Sequence, residues 1–463
     1  MESVRNRMTS SRILIIGAGW AGISAAHSLM LAGVPGEQIV MLERAPRAGG
    51  RAFSFTDKEQ GLDLDNGQHV LLGCCDQFVQ LLGDMNIANA YRFQQCLNIP
   101  VYCEGAWGQL FSKRLAGALH LLPGLLSYAH LGMLERVRAL RAAPGFLHPD
   151  VEALDAMSFG DWLRKNGQTE RTIRRLWDLV GTAVLNGHVD QISAGLAAES
   201  FRMGVVAGWQ QARLGLFTRP LGDLADDAVS HLQRQGVTVR FHTAVDSLLF
   251  EGNRVKGARL RDGQNWVADA VISAVPHDAL WRMLPDVWQR HADFQGLQQL
   301  AWSPILNAFI LYDRRVTQHD VFASTQLGGM FVFNRAALVG EDRLDGRWLS
   351  ISISAADRYR ALSHEEIGDM VAKAIAEALP EARAANVEHC KVVWQPRATF
   401  LASPGTAGKR LNPISAVSGL LIAGDWTNTG WPASLEGAVR SGQAAVEAWL
   451  RGGRKQPDLP MTS

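Results

Sequence analysis

The chain has 463 residues, enough for two or three domain-sized units around substantial cores. Its 46 basic and 45 acidic residues leave a net charge of +1, which excludes the electrostatic footprint of a nucleic-acid binder. Apolar residues make up 47% and charged residues 20%, a rich balance that still suits a soluble globular protein.

Residues 1–11 are polar and read as a frayed tail rather than a signal peptide. An apolar run at residues 13–16 then reads as a buried parallel strand. It leads at once into Gly17-Ala18-Gly19-Trp20-Ala21-Gly22 and an Ala-rich helix, and a second apolar run ends in Glu43. Strand, glycines, helix, strand and acid in this order form a βαβ unit built for a dinucleotide. Gly17 allows the tight turn, Gly19 lets the backbone approach a pyrophosphate, and Gly22 lets the helix pack on the strand. The helix N-terminus offers N–H groups and positive dipole to the phosphates. Glu43 can accept from ribose hydroxyls and would repel a 2′-phosphate.

Ala48-Gly49-Gly50-Arg51-Ala52 follows directly. Its two glycines let backbone N–H groups point at an anion, and Arg51 adds a forked donor. In residues 62–73, Asp65, Asn66, Gln68 and His69 set polar groups into an otherwise apolar run. A surface turn would explain Asp-Asn-Gly but not Gln-His running into Val-Leu-Leu.

Residues 91–210 read as mostly helical. Within them, residues 115–126 are apolar but too short, and too broken by His120 and Pro123-Gly124, to span a bilayer. The expectation is a core helix. Lys113, Arg114, Arg136, Arg138 and Arg141 around it keep open a peripheral contact with a lipid interface. Strands are expected at 237–241, 244–250, 254–261 and, strongly buried, at 268–276. Strands at 306–312, 330–333 and 348–352 with a helix at 365–379 suit an antiparallel sheet over a substrate cavity.

The five cysteines (Cys74, Cys75, Cys96, Cys103, Cys390) have no metal-ligand spacing, and no metal is expected. An odd count without a signal peptide reads as reduced thiols in a cytoplasmic protein, at most peripheral on the inner face of the membrane. Cys74-Cys75 reads as packing rather than redox chemistry, since adjacent cysteines bridge only with strain. Near the C-terminus, residues 419–426 read as a strand ending in Gly424-Asp425-Trp426. Trp431-Pro432-Ala433-Ser434-Leu435 then opens a last helix, and residues 455–463 read as a second frayed tail.

Several of these segments carry a resemblance. The ExxxxxGGR spacing from Glu43 to Arg51 resembles the FAD-binding signature of the amine oxidase and phytoene desaturase superfamily, and the Gly-Asp ending resembles its closing motif. The resemblance implies an α/β fold. A discontinuous Rossmann-like FAD-binding domain (1–90, 211–285, 405–463) would carry an inserted α+β substrate domain, made of a helical, membrane-facing part (91–210) and a sheet-containing part (286–404). It implies that FAD is held by Gly17, Ala18, Gly19, Trp20, Ala21, Gly22, Glu43 and Arg44, and on its diphosphate side by Gly49, Gly50 and Arg51. Val245 would touch the adenine through its backbone. Asp425, after Gly424, would meet the ribityl or pyrophosphate. Gly67, Gln68, His69, Val70, Trp431, Ala433, Ser434 and Leu435 would lie near the flavin ring.

DNGQHVLLGC, LERAPRAGGRAFSF and GDWTNTGWPASLEGAVRSG further resemble the squalene-associated FAD-dependent desaturase-like group. Its members are hydroxysqualene dehydroxylases of bacterial hopanoid biosynthesis. That resemblance implies hydroxysqualene as substrate and squalene as product, a reduction of C–OH to C–H by hydride transfer from reduced flavin to an allylic cation. The chemistry needs one acid: His69 is the first candidate, and Asp65, if buried and protonated, the second. Four other readings stay open: a carotenoid desaturase, an amine oxidase, an NAD-dependent dehydrogenase, or an isoprenoid carrier without chemistry. The amine oxidase is disfavoured because Trp426 and Trp431 have no tyrosine beside them. No second dinucleotide fingerprint is present, so the electron donor is left open among a nicotinamide, a flavodoxin or ferredoxin, and quinol.

Overall fold

A computed structural model describes residues 11–452. The tails at 1–11 and 455–463 lie outside the described residues, Ser11 excepted. Ile13–Ile16 is the middle strand of a five-stranded parallel sheet, ordered Thr238–Arg240, Ile39–Leu42, Ile13–Ile16, Ala270–Ser273, Leu420–Ile422. Its unbroken apolar run has a physical reason. Leu14 and Ile16 enter one hydrophobic core, Ile13 and Ile15 another, so the strand is covered on both faces.

The two ends of the chain meet on this sheet. Helix Trp20–Leu31 packs against the last helix, Leu435–Leu450. Ser24 Oγ donates to the Val439 carbonyl at 2.8 Å, and a Cβ on Gly442 would lie 2.3 Å from the Ala21 carbonyl oxygen. Only glycine lets the backbones come this close.

A seven-stranded sheet stands apart, ordered Val387–Phe400, Trp302–Tyr312, Trp348–Ser354, Met330–Asn334, Val321–Ser324, Asn98–Cys103, Ala106–Phe111. It is antiparallel except where Val321–Ser324 runs parallel to Asn98–Cys103. The last two strands were not expected; they interrupt a stretch, 91–210, whose remainder is largely helical. They form a hairpin whose two loop residues, Glu104 (φ 49°) and Gly105 (φ 85°), are both left-handed, the geometry that matches strand twist in a two-residue turn.

Residues 115–126 are broken as expected, into a 3₁₀ turn (Gly117–Leu121) and a short helix (Leu122–Ser127). His120 and Gly124 are buried, whereas Leu115, Leu119 and Leu126 face outward. Among the described residues no helix is long and apolar enough to cross a membrane.

Candidate active site

One cavity of about 1390 Å³ runs between the parallel sheet, the inner face of the seven-stranded sheet and the helices of the middle segment. A site for one small molecule holds about 300–1,000 Å³, so this one has room for two ligands. Every residue singled out for the cofactor borders it except Ala18 and Gly22, which act behind the wall. Ala18 N–H donates to Glu43 Oε2 at 2.9 Å. A Cβ on Gly22 would meet the Gly17 carbonyl oxygen at 2.0 Å.

The dinucleotide groove is made by backbone. Gly17 sits at φ +105°, a conformation open to glycine, where a Cβ would also press on the Ala274 carbonyl at 2.8 Å. Helix Trp20–Leu31 begins at Gly19 with no side-chain cap and no acid in its first turn. Its free N–H groups open on the cavity beside Gly50, whose Cβ, if it had one, would lie 3.2 Å from Gly19 Cα. This uncapped terminus in a side-chain-free groove suits a diphosphate. Asn66 braces the turn opposite, donating from Nδ2 to the Arg51 carbonyl (2.8 Å) and accepting at Oδ1 from Phe53 N–H (3.1 Å).

Arg51 and Asp425, 374 residues apart, form an ion pair on the cavity wall. Arg51 also donates to the Ala398 carbonyl at 3.0 Å and lies over the Trp302 ring. Sequence reasoning missed Arg410. Its buried guanidinium donates to the carbonyls of Trp426, Thr427 and Trp431, fastening the loop that presents Asp425 and Trp431. Burial pulls its pKa down to about 10.

The Gly67–Val70 segment supplies the polar groups of the inner cavity. His69 Nδ1 donates to the Gly67 carbonyl at 2.8 Å, so the neutral ring presents Nε2 as an acceptor, and that atom has no partner among the described residues. Burial, against the pull of the Gly67 carbonyl and Asp65, holds His69 below the ordinary imidazole value of 6.5. Gln68 Oε1 and Asn307 Oδ1 are buried acceptors with no donor. Asn307 was not anticipated, although one polar residue inside the apolar strand at 305–312 is a legible signal.

Asp65, the second candidate acid, does not border the cavity. Its Oδ2 faces Arg335 at 3.1 Å, and its Oδ1 accepts from Ser54 Oγ (2.6 Å) and Leu221 N–H (2.9 Å). The carboxyl is turned to the protein interior as the partner of a buried cation, out of reach of a cavity ligand. Cys74 and Cys75 border the cavity as free thiols, and a hydrogen bond with Cys74, together with burial, pushes the Cys75 thiol well up.

Two chemically different sets of exposed residues border the cavity. Arg44, Arg47, Arg282 and Arg397 are exposed and border it near the dinucleotide groove. Leu119, 60% exposed, borders it on the other side of the middle segment's helices, where Leu115, Leu126, Met133 (66%), Leu134 (73%) and Val137 are also exposed.

Residues 20–450 match the model of the flavin containing amine oxidoreductase family. A hydroxysqualene dehydroxylase from Sinorhizobium fredii is 29% identical over 94% of this chain and 97% of its own length. A 15-cis-phytoene desaturase from Capsicum annuum is 27% identical over 97% of this chain and 80% of its own. Among solved structures, an oxidoreductase from Methanosarcina mazei superposes with a TM-score of 0.72 at 18% identity, covering 94% of this chain and 99% of that one. Cyclohexylamine oxidase from Brevibacterium oxydans does so with 0.70 at 18%, covering 96% and 100%. The uncapped helix, the side-chain-free groove and Glu43 at its rim fit FAD, the cofactor of this fold.

Proposed function

The chain belongs to the flavin containing amine oxidoreductase family, and from that premise we propose that it reduces hydroxysqualene to squalene, replacing C–OH by C–H. The observation that carries this reading is His69 Nε2, an acceptor without a partner among the described residues, in a cavity whose walls along the middle segment are largely leucine, valine and phenylalanine. A pure hydrocarbon leaves it without a donor, at about 1–3 kcal/mol. A hydroxylated isoprenoid does not. The similarity to a hydroxysqualene dehydroxylase supports the reading.

FAD, when bound in its reduced form, supplies the hydride. His69 acts in its protonated form as the acid that turns the substrate hydroxyl into water, and the depressed pKa of the ring makes that proton easy to give up. The apolar walls exclude water that would recapture the allylic cation. Apolar substrate enters beside Leu119 from a lipid surface, onto which the leucine-rich face with its flanking arginines docks. The electrons that reduce the flavin come from a separate donor.

An anaerobic single turnover tests the proposal. Prereduced protein mixed with hydroxysqualene is expected to regain oxidised-flavin absorbance and release an equal amount of squalene. A flavin that stays reduced over untouched alcohol rejects the substrate. The phytoene desaturase similarity then makes carotenoid precursors with oxidised protein the next trial.

A further inference from the structure

Trp177 borders the cavity from the end of a π-helical turn, Ile173–Trp177. Such turns are rare and gather at functional sites, and their wider winding sets successive side chains closer on one side of the helix. Leu176 borders the cavity as well. Trp177 is 9% exposed, so part of its ring is open to a ligand. Its indole N–H donates to Gln168 Oε1 at 2.9 Å, and Gln168 Nε2 donates to the Arg138 carbonyl at 2.8 Å. The polar edge of the ring is thus tied into the protein. Its apolar body stands against Phe146 and Phe201, with centroids 5.5 and 5.8 Å away, and against Phe159 at 6.4 Å. The backing is tight: a Cβ on Gly145, next to Phe146, would lie 2.3 Å from the Trp162 ring.

We propose that Trp177 is a specificity-determining residue, a fixed stop that sets how large a hydrocarbon body the cavity takes; the inference rests on the isoprenoid reading above. A methionine in that wall would change rotamer to admit a longer chain, and the cavity would discriminate poorly. An indole turns about two torsions only, and here its N–H is anchored and its far side is covered by other rings. An interior packed to the density of an organic crystal leaves it no second position. A chain that just reaches the ring gains its contact. A chain that extends further has to displace the ring and break its tie to Gln168. An extra methylene against a shaped apolar wall already changes selection by about 10–200-fold.

A competition between two hydrocarbons tests this. Flavin-loaded protein is offered squalene and the linear homologue one isoprene unit longer, in equal amounts in detergent micelles. The hydrocarbon retained through gel filtration is extracted and counted by mass. The parent is expected to hold squalene in at least about tenfold excess. With Trp177→Leu the excess is expected to fall to within about twofold, because squalene loses a contact while the longer chain gains room. Gln168→Leu, which frees the indole without removing it, is expected to fall between. Both hydrocarbons compete for the same molecules, so a fraction of unfolded variant cancels from the ratio. Phe159→Leu thins the same cluster at a ring that is fully buried and does not border the cavity, and it is expected to keep the parental ratio. A parental ratio in Trp177→Leu overturns the proposal. An equal shift in Phe159→Leu also overturns it, because general loosening of the cluster is then what matters. A parent that retains neither hydrocarbon brings down the isoprenoid reading and the inference with it. A parent that retains squalene in excess but leaves hydroxysqualene untouched in the single turnover brings down the dehydroxylase reaction alone.

Discussion

Asp65 and Arg335 face each other at 3.1 Å with side chains 2% and 1% exposed, and the Arg335 guanidinium has no other partner among the described residues. Asp65 keeps two further donors when Arg335 is lost, but Arg335 keeps nothing when Asp65 is lost. Breaking a buried pair costs about 3–5 kcal/mol because a charge is left uncompensated. Asp65→Asn is therefore expected to lower stability in urea more than Arg335→Met. The double replacement Asp65→Leu with Arg335→Met should recover most of the loss. Folded Arg335→Met is expected to keep its turnover number, since the pair lies outside the cavity.

Replacing His69 with phenylalanine preserves the ring's bulk and removes the proton. Flavin content is expected to be retained and squalene formation to fall by about 10²–10⁴. The parent's kcat should rise as pH falls toward the depressed His69 value below 6.5, and lose about tenfold per unit above it. The phenylalanine variant should show no such slope in stopped-flow turnover across pH 5–8.

Arg410→Met releases three carbonyls at the loop that carries Trp431. Each buried acceptor left without a donor costs about 1–3 kcal/mol. The purified variant is expected to be folded by circular dichroism but depleted in flavin, as read from the ratio of visible to ultraviolet absorbance. Parental flavin content would mean that the loop holds without it.

Met133 and Leu134 stand out from the surface on helix Met133–Ala139. Burying a leucine or methionine is worth about 1.5–3 kcal/mol. Met133→Asp with Leu134→Asp should therefore cut cosedimentation with anionic vesicles at least about tenfold. Turnover of detergent-dispersed substrate should be unchanged. Vesicle binding equal to the parent's would place the lipid contact elsewhere.

Glu436 is fully buried against Gln77 and Phe78 N–H, and burial, outweighing Arg440, raises its pKa from 4.5 to about 7. The folded state therefore holds a proton that the unfolded chain gives up. This contribution is complete below pH 4.5 and fades as pH rises through about 7. The melting temperature of the parent relative to Glu436→Gln is expected to be higher at pH 4.5 than at pH 8.

The cofactor groove was legible because its parts are local. Gly17, Gly19, Gly22 and Glu43 lie within one βαβ unit, and their spacing alone reports the turn, the phosphate site and the ribose acid. Asp65 was misjudged for the opposite reason. Its role is set by Arg335, 270 positions away, and nothing in residues 62–73 reports that partner. The hairpin at 98–111 escaped because its turn, Glu104-Gly105, lacks the Asn-Gly or Asp-Gly signature, and its strand pairs with Val321–Ser324 over a long separation. Asn307 shows as an oddity in the sequence, but its close packing on Gly67 appears only in the fold.

The meeting of the chain's two ends also fixes an order in time. The middle strand of the parallel sheet leaves the ribosome first, and its neighbour but one, Leu420–Ile422, comes roughly 400 residues later. At 5–20 residues per second that interval is about 20–80 s. Throughout it, helix Trp20–Leu31 has no Leu435–Leu450 to cover it, and the groove lacks Asp425 and Trp431. Tight flavin loading is thus a late event in the life of each molecule, and the newborn N-terminal unit has to be kept from sticking to its neighbours until the last helix arrives.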